Sequence, residues 1–321
     1  MMSPSEITIE NHPLVDILAA HVEWTQDPER GRRCQWSGVT LNEVDLRDAR
    51  LERASLNGVT LLDADLSLAD LRGAAVDSTD FGGALLSAAD LTGAQVSRSQ
   101  FLSSHLSGAH FGEARICEVS FAEARLEAAG FQDATALRTN FSGALLKGAL
   151  FHGARLTECD FTGAQIDGAQ FPRAHLRGCR LLGVTGSGVN LMNCRLHDCD
   201  FFRAELLGAR FNRADFQVAC FVNADLSGAD FRGASFGGSD FSGAVLRNAR
   251  MGQAKLLLAN LSGANLTGAR ELTQQQLQQA LTDTHTILPD GSRGPYVRFS
   301  GAEKPRAGGR DNRHFDTART R

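Results

Sequence analysis

The sequence lacks the features that would place the protein in a membrane or an oxidising compartment. No stretch reaches the ~18 apolar residues of a membrane span, and residues 1–10 have neither the basic nor the apolar run of a signal peptide. The 7 cysteines are an odd number, and none belongs to a CxxC pair, which favours a reducing compartment. These absences predict a soluble cytoplasmic protein without membrane contact.

Catalytic signatures and strong net charge are also scarce. The formal net charge is −4 and the sequence pI is near 6.1, so there is no global attraction to nucleic acid. No phosphate-binding glycine loop stands in a strand–turn–helix context. The histidines cannot be combined into a Ser–His–Asp or paired-carboxylate set. We therefore predict a protein that is not an enzyme, with no cofactor, no metal and no direct nucleic-acid binding.

What the sequence does contain is a period of five residues. From Trp36 to Leu266, 45 of 47 positions spaced by five hold Leu, Phe, Ile, Val, Met or Trp, and the exceptions are Ala136 and Gly186. The residue two positions earlier is always Ala, Cys, Ser, Thr or Val. This period fits neither an α-helix nor a simple strand. It predicts a chain that turns a corner every five residues and buries one large and one small side chain per side.

The phenylalanines add a period of twenty. Of 19 Phe residues, 14 fall on two of the four series spaced by twenty. Four sides therefore form one coil, and like residues stack in successive coils. The prediction is an all-β fold, a quadrilateral parallel β-helix of about 12 coils, roughly 55 Å long at a strand spacing of ~4.8 Å.

Individual units carry a family resemblance. The segments ADLSL at 64–68, ADLSG at 224–228 and ANLTG at 264–268 resemble the A(D/N)LXX repeat of pentapeptide repeat proteins. The resemblance implies a right-handed quadrilateral β-helix whose central residue, and the small residue two before it, point inward. It is stronger evidence for fold than for function.

Four parts of the chain are predicted. Residues 1–35 form an N-terminal segment with a capping helix, because apolar residues between Pro13 and Trp24 have helical spacing. Residues 36–270 form the β-helix, and 271–290 a C-terminal capping or dimerisation helix that opens with a capping box at Thr273 and Gln276. Residues 291–321 are predicted to be a disordered basic tail.

The C-terminal helix has three possible roles. Its narrow apolar face could cover the open end of the coil, whose unpaired strand groups invite aggregation. It could instead cover the outward-facing Leu257 and Leu258. The resemblance implies a third role, because in related rods such a helix pairs two protomers. Carried over to Leu277 and Leu281, this implies a possible homodimer.

Acidic residues are concentrated in the first coils. Residues 36–95 contain ten acids and four bases, a net of −6. One interpretation is that Asp before the central residue belongs to the repeat and stays solvated. The other is an acidic face that binds a partner, made by Asp45, Asp65, Asp70, Asp80 and Asp90. The resemblance to members that protect bacterial DNA gyrase, including quinolone-resistance and self-immunity proteins, implies a DNA mimic that binds a type II topoisomerase.

An apolar stripe supports a different function. Leu182, Phe202 and Val222 are twenty residues apart and should stack on one outer side, with Leu207 near the adjoining corner. Either a terminal segment covers this stripe, or a protein partner docks on it. The alternative hypothesis is therefore a generic protein-interaction scaffold.

Two further irregularities concern the core. Gly186 stands where a large apolar residue belongs, which predicts lost core contacts and a kink or soft spot, with a ligand cavity as the less favoured alternative. Cys159, Cys179 and Cys199 are twenty residues apart in the small inward position. We interpret them as core filler, because parallel side chains do not converge on a metal.

Overall fold

The computed structural model describes residues 1–305, and a parallel ladder of nine short strands organises it. Each strand pairs in register with the strand twenty residues further on, from Gln35↔Ser55 to His175↔Arg195. The strands are β3 (Gln35–Ser37), β4 (Ser55–Asn57), β5 (Ala75–Asp77), β6 (Gln95–Ser97), β7 (Arg115–Cys117), β8 (Thr135–Leu137), β9 (Arg155–Thr157), β10 (His175–Arg177) and β11 (Arg195–His197).

The other three sides of each coil are paired by single bridges at the same offset. Thr40↔Thr60, Asp45↔Asp65 and Arg50↔Asp70 begin these three series. Together with the ladder they give each coil four sides of five residues. The predicted fold, an all-β quadrilateral parallel β-helix, is confirmed.

The continuous ladder has fewer turns than the 12 predicted, because its nine strands make eight steps. After β11 the same side pairs only through single bridges, although the offset of twenty persists to Arg250↔Arg270. In this column Phe216 and Phe236 replace the smaller apolar residues that stand there from Leu56 to Leu196. Nearby backbone hydrogen bonds lengthen, with 3.2 Å from Val218 N to Gly237 O and 3.4 Å from Gly238 N to Leu257 O. The bonds at the rings themselves stay at 2.9 Å, from Phe216 N to Ser235 O and from Phe236 N to Lys255 O, so the pairing loosens only at the adjoining corner.

Two columns of phenylalanine rings fill the core. Within a column the rings stack, as between Phe141 and Phe161, whose centroids are 4.8 Å apart at an interplanar angle of 10°. Between columns they meet edge to face, as for Phe131 and Phe141 at 5.7 Å and 89°. Both arrangements are favoured by the charge distribution of aromatic rings. The small residue two positions before each centre is buried as well, except Val39 and Ala49 of the first coil, which are partly buried.

The N-terminal segment closes the first coil. A 3-10 helix (Pro4–Glu6) and the antiparallel pair β1 (Thr8–Ile9) and β2 (His12–Pro13) lead into α1 (Leu14–Gln26). Met2 pairs with the coil, since its N–H donates to Glu43 O at 2.7 Å and its carbonyl accepts from Asp45 N at 2.9 Å. Buried His21 of α1 accepts the Cys34 N–H on Nδ1 at 2.9 Å. Backbone groups that an open coil end would expose are therefore paired.

The C-terminal helix α2 (Gln274–Gln279) takes the place of one side of the last coil and packs on the coil before it. Thr273 and Gln276 form the predicted capping box. Gln276 lies where a further coil would place a central apolar residue, and its Nε2 donates to Met251 O at 2.8 Å and Ala254 O at 2.9 Å. Leu277 is buried within the chain, so of the predicted dimer pair only Leu281 is exposed.

One of the three roles considered for the C-terminal helix, and the predicted end of the coil, are wrong. Leu257 and Leu258 are 58% and 63% exposed, so α2 does not cover them. The coil also continues past residue 271, because Leu281 pairs with Asn260 and Ile287 with Asn265. The extra residues in these last sides break the period of five, which hides the continuation from a search for that period.

The predicted disordered tail is ordered as far as residue 305. The Tyr296 hydroxyl donates to the Glu303 carboxylate at 3.1 Å, and both Ala302 and Glu303 are buried. The remainder of the predicted tail, 306–321, lies outside the described residues. The first part folds because it has apolar surface to pack against at the end of the coil.

Gln276 offers a direct test of the C-terminal cap. We expect Gln276→Leu to lower the free energy of unfolding by roughly 1–3 kcal/mol, because the buried Ala254 carbonyl loses its donor and Met251 O keeps only the bond from Ala254 N. Urea unfolding followed by circular dichroism measures this. The control is Gln278→Leu, an exposed position of the same helix. Equal stability of the two variants would show that Gln276 does not seal the coil.

Candidate functional site

The predicted acidic residues do not form one face. Asp45 and Asp65 lie in one column, Asp70 and Asp90 in a second, and Asp80 pairs with Thr60 in a third. These columns belong to three different sides of the coil. A partner that contacts one side of the rod therefore meets only part of the predicted set.

Most of these carboxylates have a role in the fold itself. Asp65, Asp80 and Asp90 each accept, at 2.9 Å, the backbone N–H of the residue two positions later. Such a turn satisfies a donor at the corner of the coil. This explains why Asp recurs before the central residue, and it is more specific than the solvation that we predicted.

Arginines neutralise part of the acidic tract. Arg47 binds both Asp45 oxygens, at 2.9 and 2.6 Å, and this hydrogen bonding lowers the pKa of Asp45 to about 2. Arg72 holds Asp70 in the same way and lowers the pKa of that carboxyl. The net charge of −6 in these coils is therefore spread over several sides and partly paired.

The apolar stripe is assembled as predicted but is only partly exposed. Gly183 N donates to Phe202 O at 2.9 Å and Arg203 N to Val222 O at 3.1 Å, which places Leu182, Phe202 and Val222 on successive coils. All three side chains are half-buried, and the Arg203 guanidinium lies 5.0 Å from the centroid of the Phe202 ring. Leu207, on the adjoining side, is 46% exposed.

A more exposed apolar group surrounds a groove on another side. Val218 is 59% exposed, and Leu257 and Leu258 are 58% and 63% exposed. They border a groove of about 430 Å³ whose middle is formed by Gly237 and Gly238. The sequence showed Leu257 and Leu258 as outward residues but did not show this groove, because the two glycines look like ordinary corner residues.

Gly186 is not beside an empty space, so the predicted soft spot and cavity are wrong. A Cβ at this position would lie 2.9 Å from Ile166 Cγ1 and 2.9 Å from Val189 Cγ2. Gly186 N also donates to Glu205 O at 2.9 Å, so the pairing is unbroken. Val184 and Val189 stand in small positions usually held by Ala. Of these two larger residues, Val189 reaches the space at Gly186, and it was the signal in the sequence that a neighbour supplies the missing volume.

The cysteine column is buried and its thiols bond to backbone carbonyls. Cys159, Cys179 and Cys199 donate to Ala136 O, Leu156 O and Leu176 O at 3.6, 3.4 and 3.6 Å. Burial raises the pKa of Cys194, another thiol in a small inward position, to about 12. Over residues 1–305 no group of three His, Cys, Asp or Glu side chains is placed to hold a metal ion. Over the same range no helix has the length and apolarity to cross a membrane.

A basic column on the ladder was missed by sequence reasoning. The first residues of β7 to β11 lie in register and are exposed; they are Arg115, Thr135, Arg155, His175 and Arg195. Arg177 follows two positions after His175 and is also exposed. The signal was present as arginines forty residues apart, with His175 midway between two of them, but counts over whole segments averaged it with acids on other sides.

Comparison with known proteins agrees with the repeat architecture. A family described as "Pentapeptide repeat region" matches residues 154–231, and one described as "Pentapeptide repeats (8 copies)" matches 34–73, 69–101, 219–257 and 234–270. Together these matches cover more than half of the chain. The protein belongs to the pentapeptide repeat family. No curated protein matches it in sequence.

Several solved structures of repeat proteins are similar. HetL, a pentapeptide repeat protein involved in heterocyst differentiation regulation from the cyanobacterium Nostoc sp. strain PCC 7120, is 25% identical, with 85% of this chain and 98% of HetL covered and a TM-score of 0.40. QnrB1, a plasmid-mediated fluoroquinolone resistance protein, is 18% identical over 77% of this chain and 92% of QnrB1, with a TM-score of 0.26. These low scores carry no argument about partners.

Proposed function

We propose that this protein is a non-catalytic, partner-binding rod that works in the cytoplasm. The observation that carries the proposal is the division of labour within each unit. The central residue and the small residue two before it build the core, whereas the other three positions point outward in straight columns. Outward residues that the fold does not need are free to recognise a partner.

The apolar stripe supports binding of a protein. Phe202 has no role in the buried core, and its neighbours Leu182 and Val222 extend the same apolar column. A docking partner would complete their burial and add to affinity through the area removed from water.

The test is capture of partners from source cells by the full-length protein, with chemical cross-links mapped by mass spectrometry. We expect cross-links on the outward columns and expect Phe202→Asp to lose partners that use the stripe. The matched control is Leu102→Asp, another outward apolar residue in the same column. A bait that captures no protein above background would contradict the rod function itself.

Binding to DNA gyrase or another type II topoisomerase is a second candidate. It is favoured by the net of −6 in the first coils and by the rod length of roughly 55 Å, which matches about 16 base pairs of B-DNA at ~3.4 Å each. Protection of the enzyme against a poison would place the protein in antibiotic resistance or self-immunity.

A supercoiling assay distinguishes this candidate from the first. Purified protein at micromolar levels should restore gyrase activity in the presence of a poison, and neutralising Asp45, Asp65 and Asp80 to Asn should reduce the rescue. The Phe202→Asp variant serves as the control and should still rescue. If the protein changes neither the activity of gyrase nor its inhibition by the poison, the topoisomerase candidate is disproved. The general rod function is not affected by that result.

A further inference from the structure

We propose that the side of the rod formed by β7 to β11 and the coils after it is a two-part docking surface for a protein segment. The segment carries a run of acidic residues followed by a bulky apolar anchor. The acidic run lies on the basic column, and the anchor enters the groove at Gly237 and Gly238. This inference rests on the proposed rod function and names one surface and the chemistry of its partner.

The basic column is free to bind an anion. Over residues 1–305, Arg115, Arg155, Arg177 and Arg195 form no ion pair within 4.0 Å, whereas Arg98 and Arg138 on the same side are paired with Asp77 and Glu118. Arg115, Arg155 and Arg195 stand two coils apart in the column, with Thr135 and His175 between them. Their guanidinium groups therefore present bidentate donors at steps of ~9.6 Å along the ladder.

The positive charges of this column affect the pKa of His175, which lies within it. Burial, and then the charges of Arg195, Arg155 and His197, lower the pKa of His175. Like charges that crowd together in the free protein are relieved when an acidic partner arrives. The column is also bounded, because the same position holds neutral Gln95 before β7 and Asp215 after β11.

The apolar groove continues the same side. The column runs from Arg195 through Asp215 to Ser235 and Lys255, each one coil further on. Asp215 is paired with His197 at 3.2 Å. The groove centre, two coils beyond Arg195, is therefore ~10 Å away, a distance that about three extended residues span.

The chemistry of this side favours a protein segment over nucleic acid. Exposed acids stand at both corners beside the column, Glu113 and Asp133 on one edge and Glu158 and Asp198 on the other. They would repel the phosphates of a broad duplex. The outward residues of β7 to β11 include no Phe, Tyr or Trp on which unpaired bases could stack, and their two rings are the imidazoles of His175 and His197. The groove is also lined by the polar residues Asp215, Gln217 and Ser235, but the exposed side chains of Val218, Leu257 and Leu258 give it apolar walls that fit an apolar side chain.

The test uses the full-length protein and a fluorescein-labelled peptide with a run of glutamates, a short spacer and a leucine pair. Fluorescence anisotropy measures binding at low and physiological salt. We expect Arg155→Gln/Arg177→Gln/Arg195→Gln to weaken binding roughly ten-fold or more. The charge-matched control, Arg50→Gln/Arg247→Gln/Arg270→Gln, should change it less than about two-fold, because those arginines lie on other sides of the rod.

The groove is tested separately. Leu257→Ser should weaken binding of the glutamate–leucine peptide, but not of a peptide with serines in place of the leucines. Leu102→Ser, which removes another exposed leucine, should affect neither peptide. Support requires both the basic-column result and the groove result.

Three outcomes overturn the inference. They are no saturable binding by the unchanged protein, an equal loss in both arginine triples, or tighter binding of a random duplex DNA than of the peptide. If the peptide tests fail but the protein still captures partners through another side, this docking surface is disproved and the proposed rod function stands.

Discussion

Replacing Phe141 by alanine is expected to lower the free energy of unfolding by about 3–5 kcal/mol. Phe141 is fully buried and stacks on Phe121 at 5.2 Å and on Phe161 at 4.8 Å. It also meets Phe131 and Phe151 edge to face. Truncation removes contacts with all four rings, and a rigid coil cannot close the resulting cavity.

The matched variant is Phe141→Leu. The chain itself places Leu181 and Leu191 in the two phenylalanine columns, so leucine is compatible with the surrounding coils and should cost less than half of the alanine effect. Guanidinium unfolding at fixed temperature measures both. If alanine and leucine were equally tolerated, the ring columns would be filler and not the source of the stability of the rod.

Gly186→Ala is expected to destabilise the protein by about 1–3 kcal/mol, the range for overpacking a filled core. The new methyl group would lie 2.9 Å from both Ile166 Cγ1 and Val189 Cγ2. The sign of the change in stability distinguishes the two interpretations. The sequence alone predicts a soft spot, which an added methyl group would fill and so stabilise. Thermal unfolding of the variant against the unchanged protein measures the sign.

Two further variants identify the cause. Gly237→Ala should be nearly neutral, because no atom lies within 4 Å of a Cβ at that position. In the Gly186→Ala background, Val189→Ala should cost less than it does alone, since it removes one of the two clashing groups. Additive effects would show that Val189 does not supply the volume missing at Gly186.

The period of five was sufficient to predict most of the rod. It placed the large and small inward positions and the stacking of like residues at an offset of twenty, whereas the two terminal helices were predicted from helical spacing and a capping box. It failed at the C-terminal end, where Leu281 and Ile287 extend the coil with sides longer than five residues. A search for a fixed period cannot follow the coil beyond the point where the spacing changes, even if the packing continues.

The candidate site was less predictable. Asp45, Asp65 and Asp80 were grouped by their proximity in sequence, yet they lie on two sides of the coil. Arg115, Arg155 and Arg195 are far apart in sequence and were therefore not grouped, yet they share one column. Charge summed along the chain mixes all four sides, so it cannot detect a surface on one of them.

The sequence by itself determined the β-helix, its core and its family, because a strict repeat makes the buried environment of each unit nearly identical. Only the tertiary structure decided how the outward side chains are used. Arg47 and Arg72 neutralise acids that could have formed an open face, and Val189 occupies the space beside Gly186. These outcomes depend on contacts across corners and between successive coils, where side-chain volume and geometry decide the result and the five-residue pattern carries no information.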